Sequence, residues 1–170
     1  MTLLDLFRRE FEREIETTRV VLERVPDGRL AWKPHEKSFS LGQLAQHVAT
    51  LPQWASMLAQ DSLDIQPVGQ PPYRPPVCAT RDALLEMFEA NATAGRSFLQ
   101  GATDAELDRP WSLLAAGQTM FTMSKAEVLQ ISVMNHLAHH RGQLCTYLRM
   151  NDVPIPAVYG PSADDTSMRY

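Results

Sequence analysis

The 170-residue sequence has little cysteine, no long apolar run and no excess of basic residues. Its two cysteines, Cys78 and Cys145, are too few and too far apart for a disulfide framework. No stretch of 18 apolar residues occurs, so no membrane-spanning helix is predicted. The first residues form a charged amphipathic run rather than a secretory signal, and we therefore expect a cytoplasmic protein in a reducing compartment.

The charge balance argues against a nucleic-acid partner. Sixteen basic residues stand against 20 acidic ones, which gives a formal net charge of -4. A general nucleic-acid binder would show a basic excess or a basic stripe. The length and the hydrophobic share of 44% are typical of one globular domain, predicted to span residues 1–170.

Hydrophobic periodicity predicts four helices. Turn or capping residues mark their ends: the first stops at Pro26-Asp27-Gly28, Ser40 and Thr80 cap the second and third, and the fourth runs from Ser124 to about Met150. Pro52 should either kink the second helix or end it and restart it. The apolar stripe of the first helix contains Leu4, Phe7, Phe11, Ile15, Leu22 and Val25.

The connections between these helices are predicted to be largely irregular. Residues 61–79, rich in proline, should form a surface loop that crosses from the second helix to the third. Residues 111–123 are compatible with a short strand pair or with an irregular excursion. An extended C-terminal tail, about 152–170, should pack on the helices through Ile155, Val158 and Tyr159. The predicted fold class is all-α, a four-helix bundle.

Three of the five histidines are expected to point into this bundle. His136 and His140 are one turn apart on the last helix, and Leu129, Val133 and Tyr147 lie within about 60° of their direction at 100° per residue. His47 lies between Leu44 and Leu51 on the second helix. Three imidazoles from two helices suit a divalent transition metal. Alternatively, each is a core histidine with a hydrogen-bond partner.

Neighbouring polar residues are weaker candidates. Gln43, His139 and Gln143 could orient the ligand rings from a second shell, or they could be polar residues at a helix surface. Arg141 could pair with a carboxylate or with an anionic substrate, and a surface salt bridge is the expected case. Cys145 should point away from the metal, and Cys78 could reach it only if its loop folds over the site. Tyr73 and Arg74 could wall the pocket or lie at the surface, and His35 lies outside the helices. Leu137 follows His136 where a zinc protease carries its glutamate base, so a protease is excluded.

Two segments resemble the metal-ligand helices of the DinB/YfiT-like superfamily. They are Ser-Leu-Gly-Gln-Leu-Ala-Gln-His at 40–47 and Asn-His-Leu-Ala-His-His-Arg-Gly-Gln-Leu at 135–144. The ending at 153–162 is similar to the close of many DinB-type chains. The resemblance implies a four-helix bundle, usually a homodimer, in which His47, His136 and His140 hold zinc, nickel or a similar ion. It also suggests a connection with stress response.

Three functions follow from these observations. The first is an enzyme in which the metal activates a low-molecular-weight thiol or water, with thiol transfer favoured by the resemblance over hydrolysis. The second is a metal-binding or stress-response homodimer without turnover. The third is a structural bundle whose histidines share a polar core. An open coordination position beside a pocket would favour the enzyme.

Overall fold

A computed structural model describes residues 1–71 and 78–167. The helices are α1 (Leu3–Leu22), α2 (Leu41–Thr50), α3 (Gln53–Met57), α4 (Arg81–Gly101), α5 (Asp104–Leu107), α6 (Lys125–Val128) and α7 (His136–Met150). A π-helical segment, Leu129–Asn135, joins α6 to α7, and a short 3-10 turn spans Asp27–Arg29. The strands are β1 (Ser62–Asp64), β2 (Pro110–Ala115) and β3 (Gln118–Ser124).

The helix starts are fixed by local capping, as the sequence predicts. The Ser40 hydroxyl accepts the backbone N–H of Gln43, while the Gln43 side chain accepts the N–H of Ser40. Ser124 and Glu127 form the same reciprocal box before α6, and the Thr80 hydroxyl caps α4. Each box satisfies two backbone donors that the first helical turn leaves unpaired. At Pro52 the helix ends and restarts, because α2 stops at Thr50 and α3 begins at Gln53.

The long helices enclose one apolar core. α1 packs against α4 and α7, and α2 packs against the same two helices. The predicted stripe of α1 is buried, and so is the inner face of α4, which consists of Leu84, Phe88, Ala92, Gly95 and Leu99. Gly95 permits a close approach, because a Cβ there would lie 2.6 Å from the Phe11 ring and 2.9 Å from the Pro52 carbonyl oxygen.

A three-stranded sheet corrects the all-α prediction. β1 pairs in parallel with β2, and β2 pairs antiparallel with β3. The β2–β3 turn places Ala116 and Gly117 at positive φ, as a two-residue hairpin turn requires. Of the two possibilities for 111–123, the strand pair is therefore correct. The prediction of an all-loop 61–79 is wrong at Ser62–Asp64, and Tyr73 and Arg74 lie outside the described residues.

A buried lysine connects this sheet to α6. The Lys125 side chain is fully buried, and its Nζ pairs with Glu106 and, at 3.2 Å, with Asp61. Arg109 in turn bonds both Asp61 and Glu106. Asp61 immediately precedes β1, and Lys125 begins α6. The network therefore holds the sheet against the start of α6.

The C-terminal tail follows α7 and returns along it. Pro156 and Ala157 are buried, Ile155 and Val158 are half-buried, and Tyr159 is 52% exposed. The Asp164 carboxylate holds the tail by accepting the Ile155 N–H and pairing with Arg149. Among the helices of the described chain, none combines the length and apolarity needed to cross a bilayer.

Candidate metal centre

Three histidine side chains converge where α2 packs against α7. The Nε2 atoms of His47 and His136 are 3.3 Å apart, and those of His136 and His140 are 2.9 Å apart. One ligand atom from each ring lies within 4.8 Å of the others. The helix-facing prediction for this trio therefore agrees with the structure.

These separations suit three nitrogens around one ion. With a zinc–nitrogen distance of about 2.0–2.1 Å, two ligands lie roughly 3.3 Å apart at a tetrahedral angle and roughly 2.9 Å apart at a right angle. The two short Nε2 separations fall at these values. Imidazole nitrogen is a favourable ligand for zinc, nickel, copper and iron. The trio could therefore hold a transition-metal ion.

Gln143 orients the ring of His140. The His140 Nδ1 lies 2.8 Å from the Gln143 Oε1, and the Gln143 Nε2 lies 3.1 Å from the His139 Nε2. An amide oxygen can only accept, so His140 must donate from Nδ1, which leaves its Nε2 lone pair free for an ion. The Gln143 amide in turn donates to His139, so the structure links these two residues to the trio.

The π-helical segment serves His136 in a corresponding way. In an α-helix the His136 backbone N–H would donate to Ser132, four residues earlier, but here it donates to Ile131, five residues earlier, with Val133 as a second acceptor. The Ser132 backbone acts on the imidazole of His136 as a hydrogen-bonding group that raises its pKa. A backbone carbonyl is a common partner for the second nitrogen of a metal-binding histidine. Nothing in the sequence pattern signalled this change of helical register.

Burial keeps the trio neutral. Desolvation, followed by the charges of His140 and His136, lowers the pKa of His47 from 6.5 to about 4. Desolvation also lowers the pKa of His136 and of His140. The hydrogen bonds to the Ser132 backbone and to Gln143 act in the opposite direction but are weaker. At neutral pH the three rings therefore present lone pairs rather than positive charges.

The remaining candidates lie elsewhere. Gln43 is exposed and its side-chain oxygen belongs to the capping box with Ser40. The ring of His35 accepts the Lys37 N–H in an exposed loop. The Cys78 backbone N–H donates to Gln46, and its thiol lies 4.0 Å from the Met87 sulfur. Cys145 is half-buried beside the tail.

Arg141 is not in a surface salt bridge, which corrects that prediction. Its side chain is 1% exposed, and its Nη1 lies 2.7 Å from the Glu14 Oε2, whose side chain is 2% exposed. The Tyr159 hydroxyl donates to the other Glu14 oxygen at 2.8 Å, and Arg141 lies over the Tyr159 ring. Glu14 falls within the apolar stripe of α1, three residues after Phe11, and that position was the available sequence signal for a buried partner.

A pocket of about 390 Å³ adjoins the histidine trio at His140. Its other walls are Ser38, Phe39, Leu44, Gln143, Thr146 and Tyr147. Of these, only Gln143 was a sequence candidate. Phe39 and Leu44 flank the Ser40 cap at positions where apolar side chains commonly pack together, which is the signal that could have identified them.

The fold and the site together define a mostly helical protein with a candidate three-histidine metal centre between its second and last long helices. The chain belongs to the DinB family, which it matches over residues 1–168. The uncharacterised protein YrdA of Bacillus subtilis is 25% identical over 166 residues, which cover 95% of this chain and 91% of YrdA.

Two solved structures share the fold. A DinB-like protein from Bacillus cereus superimposes with a TM-score of 0.68 at 24% identity, covering 90% of this chain and 95% of its own. The DinB-like protein YjoA of Bacillus subtilis superimposes with a TM-score of 0.65 at 18% identity, covering 88% and 96%. At these identities the likeness establishes the fold alone.

Proposed function

We propose that His47, His136 and His140 bind one divalent transition metal per chain, with zinc or nickel the expected ion. The observation that carries this proposal is the convergence of the three Nε2 atoms, with separations of 3.3 and 2.9 Å. Gln143 and His139 would support the site by fixing the ring of His140. Gln43 has less support in that role, because its side-chain oxygen is used by Ser40.

We further propose that the protein is a thiol-dependent transferase. When bound, a divalent metal lowers the pKa of a coordinated thiol or water and so supplies a nucleophile near neutral pH. The thiol would lose its proton to solvent, its sulfur would form a bond to an electrophilic carbon, and the leaving group would depart with the electrons of its own bond. The described residues that line the pocket include no carboxylate base for water, which favours the thiol.

Elemental analysis tests the metal site directly. Wild-type protein purified at neutral pH and dialysed should retain about one divalent metal per chain, and His136→Ala should lose it, because two remaining imidazoles hold an ion weakly. His35→Ala is the matched control, since this exposed histidine lies outside the trio. Equal metal content in wild type and His136→Ala would reject the assignment.

A screen of the metal-loaded protein tests the reaction. Several low-molecular-weight thiols are each combined with electrophilic acceptors, and the conjugates are measured by mass spectrometry. Conjugation should require the metal and should be lost in His136→Ala. Metal retention without conjugation across the panel would instead support the second candidate, a metal-binding protein without turnover. The three converging histidines support that candidate equally, because they can bind a metal whether or not a reaction takes place there.

The packing of α1 and α2 on α4 and α7 supports the four-helix bundle, and we propose that two such bundles form a homodimer. Trp54 and Met57 are half-buried and Leu58 is fully buried, so these residues contribute to the core of one chain. Exposed apolar side chains on α1, Leu3 and Leu6, are available for an interface. Light scattering should give twice the 19.1 kDa chain mass, and a monomer would contradict the proposal.

A further inference from the structure

The pocket beside His140 has apolar walls that are open to solvent. The Phe39 side chain is 50% exposed although it is a large aromatic group, and Leu44 and Tyr147 form neighbouring walls. The described lining residues include no lysine, arginine, aspartate or glutamate. A volume of about 390 Å³ falls at the lower end of the range of small-molecule sites.

These walls are held in place from behind. The Tyr147 ring packs edge-on against Trp32, with ring centroids 5.4 Å apart. Phe39 immediately precedes the capped start of α2, and its ring centroid lies 6.0 Å from that of His47. One aromatic wall therefore contacts the neighbourhood of the histidine trio, and the other is braced by the core. Contacts within the protein therefore position both aromatic walls.

The polar groups of the pocket are largely engaged within the protein. Both ends of the Gln143 amide are used, by His140 and by His139. The Thr146 hydroxyl donates to the Gly142 carbonyl. The Ser38 hydroxyl adds a neutral polar group, and none of the described lining residues offers a formal charge to a charged ligand. An anionic or cationic group that packs between Phe39 and Tyr147 would lose hydration without gaining an ionic partner among the described side chains of the wall.

We propose that the pocket selects an uncharged ligand carrying a small aromatic or aliphatic group, which packs between Phe39 and Tyr147 while its reactive end faces the histidine trio. This inference rests on the proposed function, because it identifies which thiols or acceptors that site takes. A metal centre alone would favour an anion, whereas the pocket predicts a ligand with a neutral apolar group.

Cobalt-loaded protein provides the first measurement. Cobalt(II) shows an absorption band when a thiolate binds it, so affinity is measured without turnover. Three thiols are titrated: phenylmethanethiol, 2-mercaptoethanol and 2-mercaptoethanesulfonate. We expect phenylmethanethiol to bind at least about tenfold tighter than 2-mercaptoethanol, because its ring is removed from water, and the sulfonate to gain nothing over 2-mercaptoethanol. Sulfonate binding as tight as, or tighter than, that of phenylmethanethiol would overturn the proposal.

The variant Phe39→Ala assigns the preference to the pocket. It should weaken phenylmethanethiol about tenfold, leave 2-mercaptoethanol unchanged and keep one cobalt per chain, while Phe39→Leu should restore part of the loss. Met120→Ala is the matched control, because Met120 is an exposed apolar residue on β3. Equal effects of Phe39→Ala on all three thiols would reject an aromatic wall.

Metal-free protein separates this inference from the proposed function. Benzyl alcohol, a neutral aromatic probe that needs no metal, is followed by ligand-observed NMR with wild type and Phe39→Ala. If wild type binds benzyl alcohol, Phe39→Ala does not, and the protein cannot be loaded with cobalt, the pocket is supported and the metal proposal is rejected. Cobalt binding without any discrimination among thiols, together with no benzyl alcohol binding, would reject the pocket and keep the metal.

Discussion

The buried ion pair between Glu14 and Arg141 connects the first helix to the last one next to the histidine trio. Their side chains are 2% and 1% exposed, and the Arg141 Nη1 lies 2.7 Å from the Glu14 Oε2. Arg141 Nη1 also donates to the Thr18 hydroxyl, and the Tyr159 hydroxyl donates to Glu14. Removal of either charge would therefore leave the other buried, with only neutral partners.

We expect Arg141→Met to destabilise the protein by about 3–5 kcal/mol, because breaking a buried pair leaves an uncompensated charge. At two to four degrees per kcal/mol for a chain of this size, the melting temperature should fall by roughly 6–20 °C. The double variant Glu14→Leu/Arg141→Met should recover most of this loss. The Arg141 Nη2 is buried without a hydrogen-bond partner among the described residues, so the intact pair is itself imperfectly satisfied.

Urea denaturation of wild type, both single variants and the double variant gives the coupling energy. The exposed pair of Arg96 and Glu12, whose side chains are 26% and 48% exposed, is the matched control. Its disruption by Arg96→Met should cost no more than about 1 kcal/mol. A loss for Arg141→Met no larger than that of the control, or a double variant as unstable as the single ones combined, would refute the assignment of a buried, coupled pair.

Three further results are expected from single substitutions. Gly95→Ala should lower the free energy of unfolding by about 1–3 kcal/mol in a denaturation assay, because its Cβ would clash with the Phe11 ring. Gly101→Ala, with open space around it, should be neutral or slightly stabilising. Gln143→Ala should weaken metal affinity about 10- to 100-fold, measured by calorimetry, because the His140 ring is no longer held by the amide. The stoichiometry should not change. Unchanged affinity would exclude a role for Gln143 in orienting His140. Arg149 first, and then the Ile155 backbone N–H, lowers the pKa of Asp164 below 3.8. The contribution of Asp164 to tail docking should therefore be present above that pH and be lost as the pH falls through the lowered value. Asp164→Asn should show faster hydrogen exchange in the tail at pH 7, and this difference from wild type should vanish at acid pH.

Local chemistry explains the success of the helix predictions. Ser40, Thr80 and Ser124 cap helices through hydrogen bonds to residues three positions later, and such contacts are set by the adjacent sequence. The inward faces were similarly predictable, because helical periodicity alone places His136 and His140 on one side of the last helix. Pro52 ends one helix before the next begins, and this effect is also local, because proline fixes its own φ and has no backbone N–H to donate.

Long-range partners explain what was missed. β1 is a strand because Ser62–Asp64 pairs with residues about 50 positions later, and three residues carry too little periodicity to indicate it. Arg141 was assigned to the surface because its buried partner, Glu14, is more than 120 positions earlier in the chain. Gln43 is a different case, because its side-chain oxygen is used by a capping box with Ser40, only three residues earlier, and that box is a local signal.

The sequence by itself determined the helices, their caps and which histidines face inward, because those properties depend on residues within one or two turns. It also determined the family, which the chain matches over residues 1–168. Only the tertiary structure decided the Nε2 separations, the π-helical turn that brings the Ser132 backbone to His136, and the apolar pocket between Phe39 and Tyr147. The His47–His136 separation and the pocket depend on how segments far apart in the chain pack together, which helical periodicity does not describe. The π-helical turn is a local departure from the α-helical period, and the apolar pattern does not signal it.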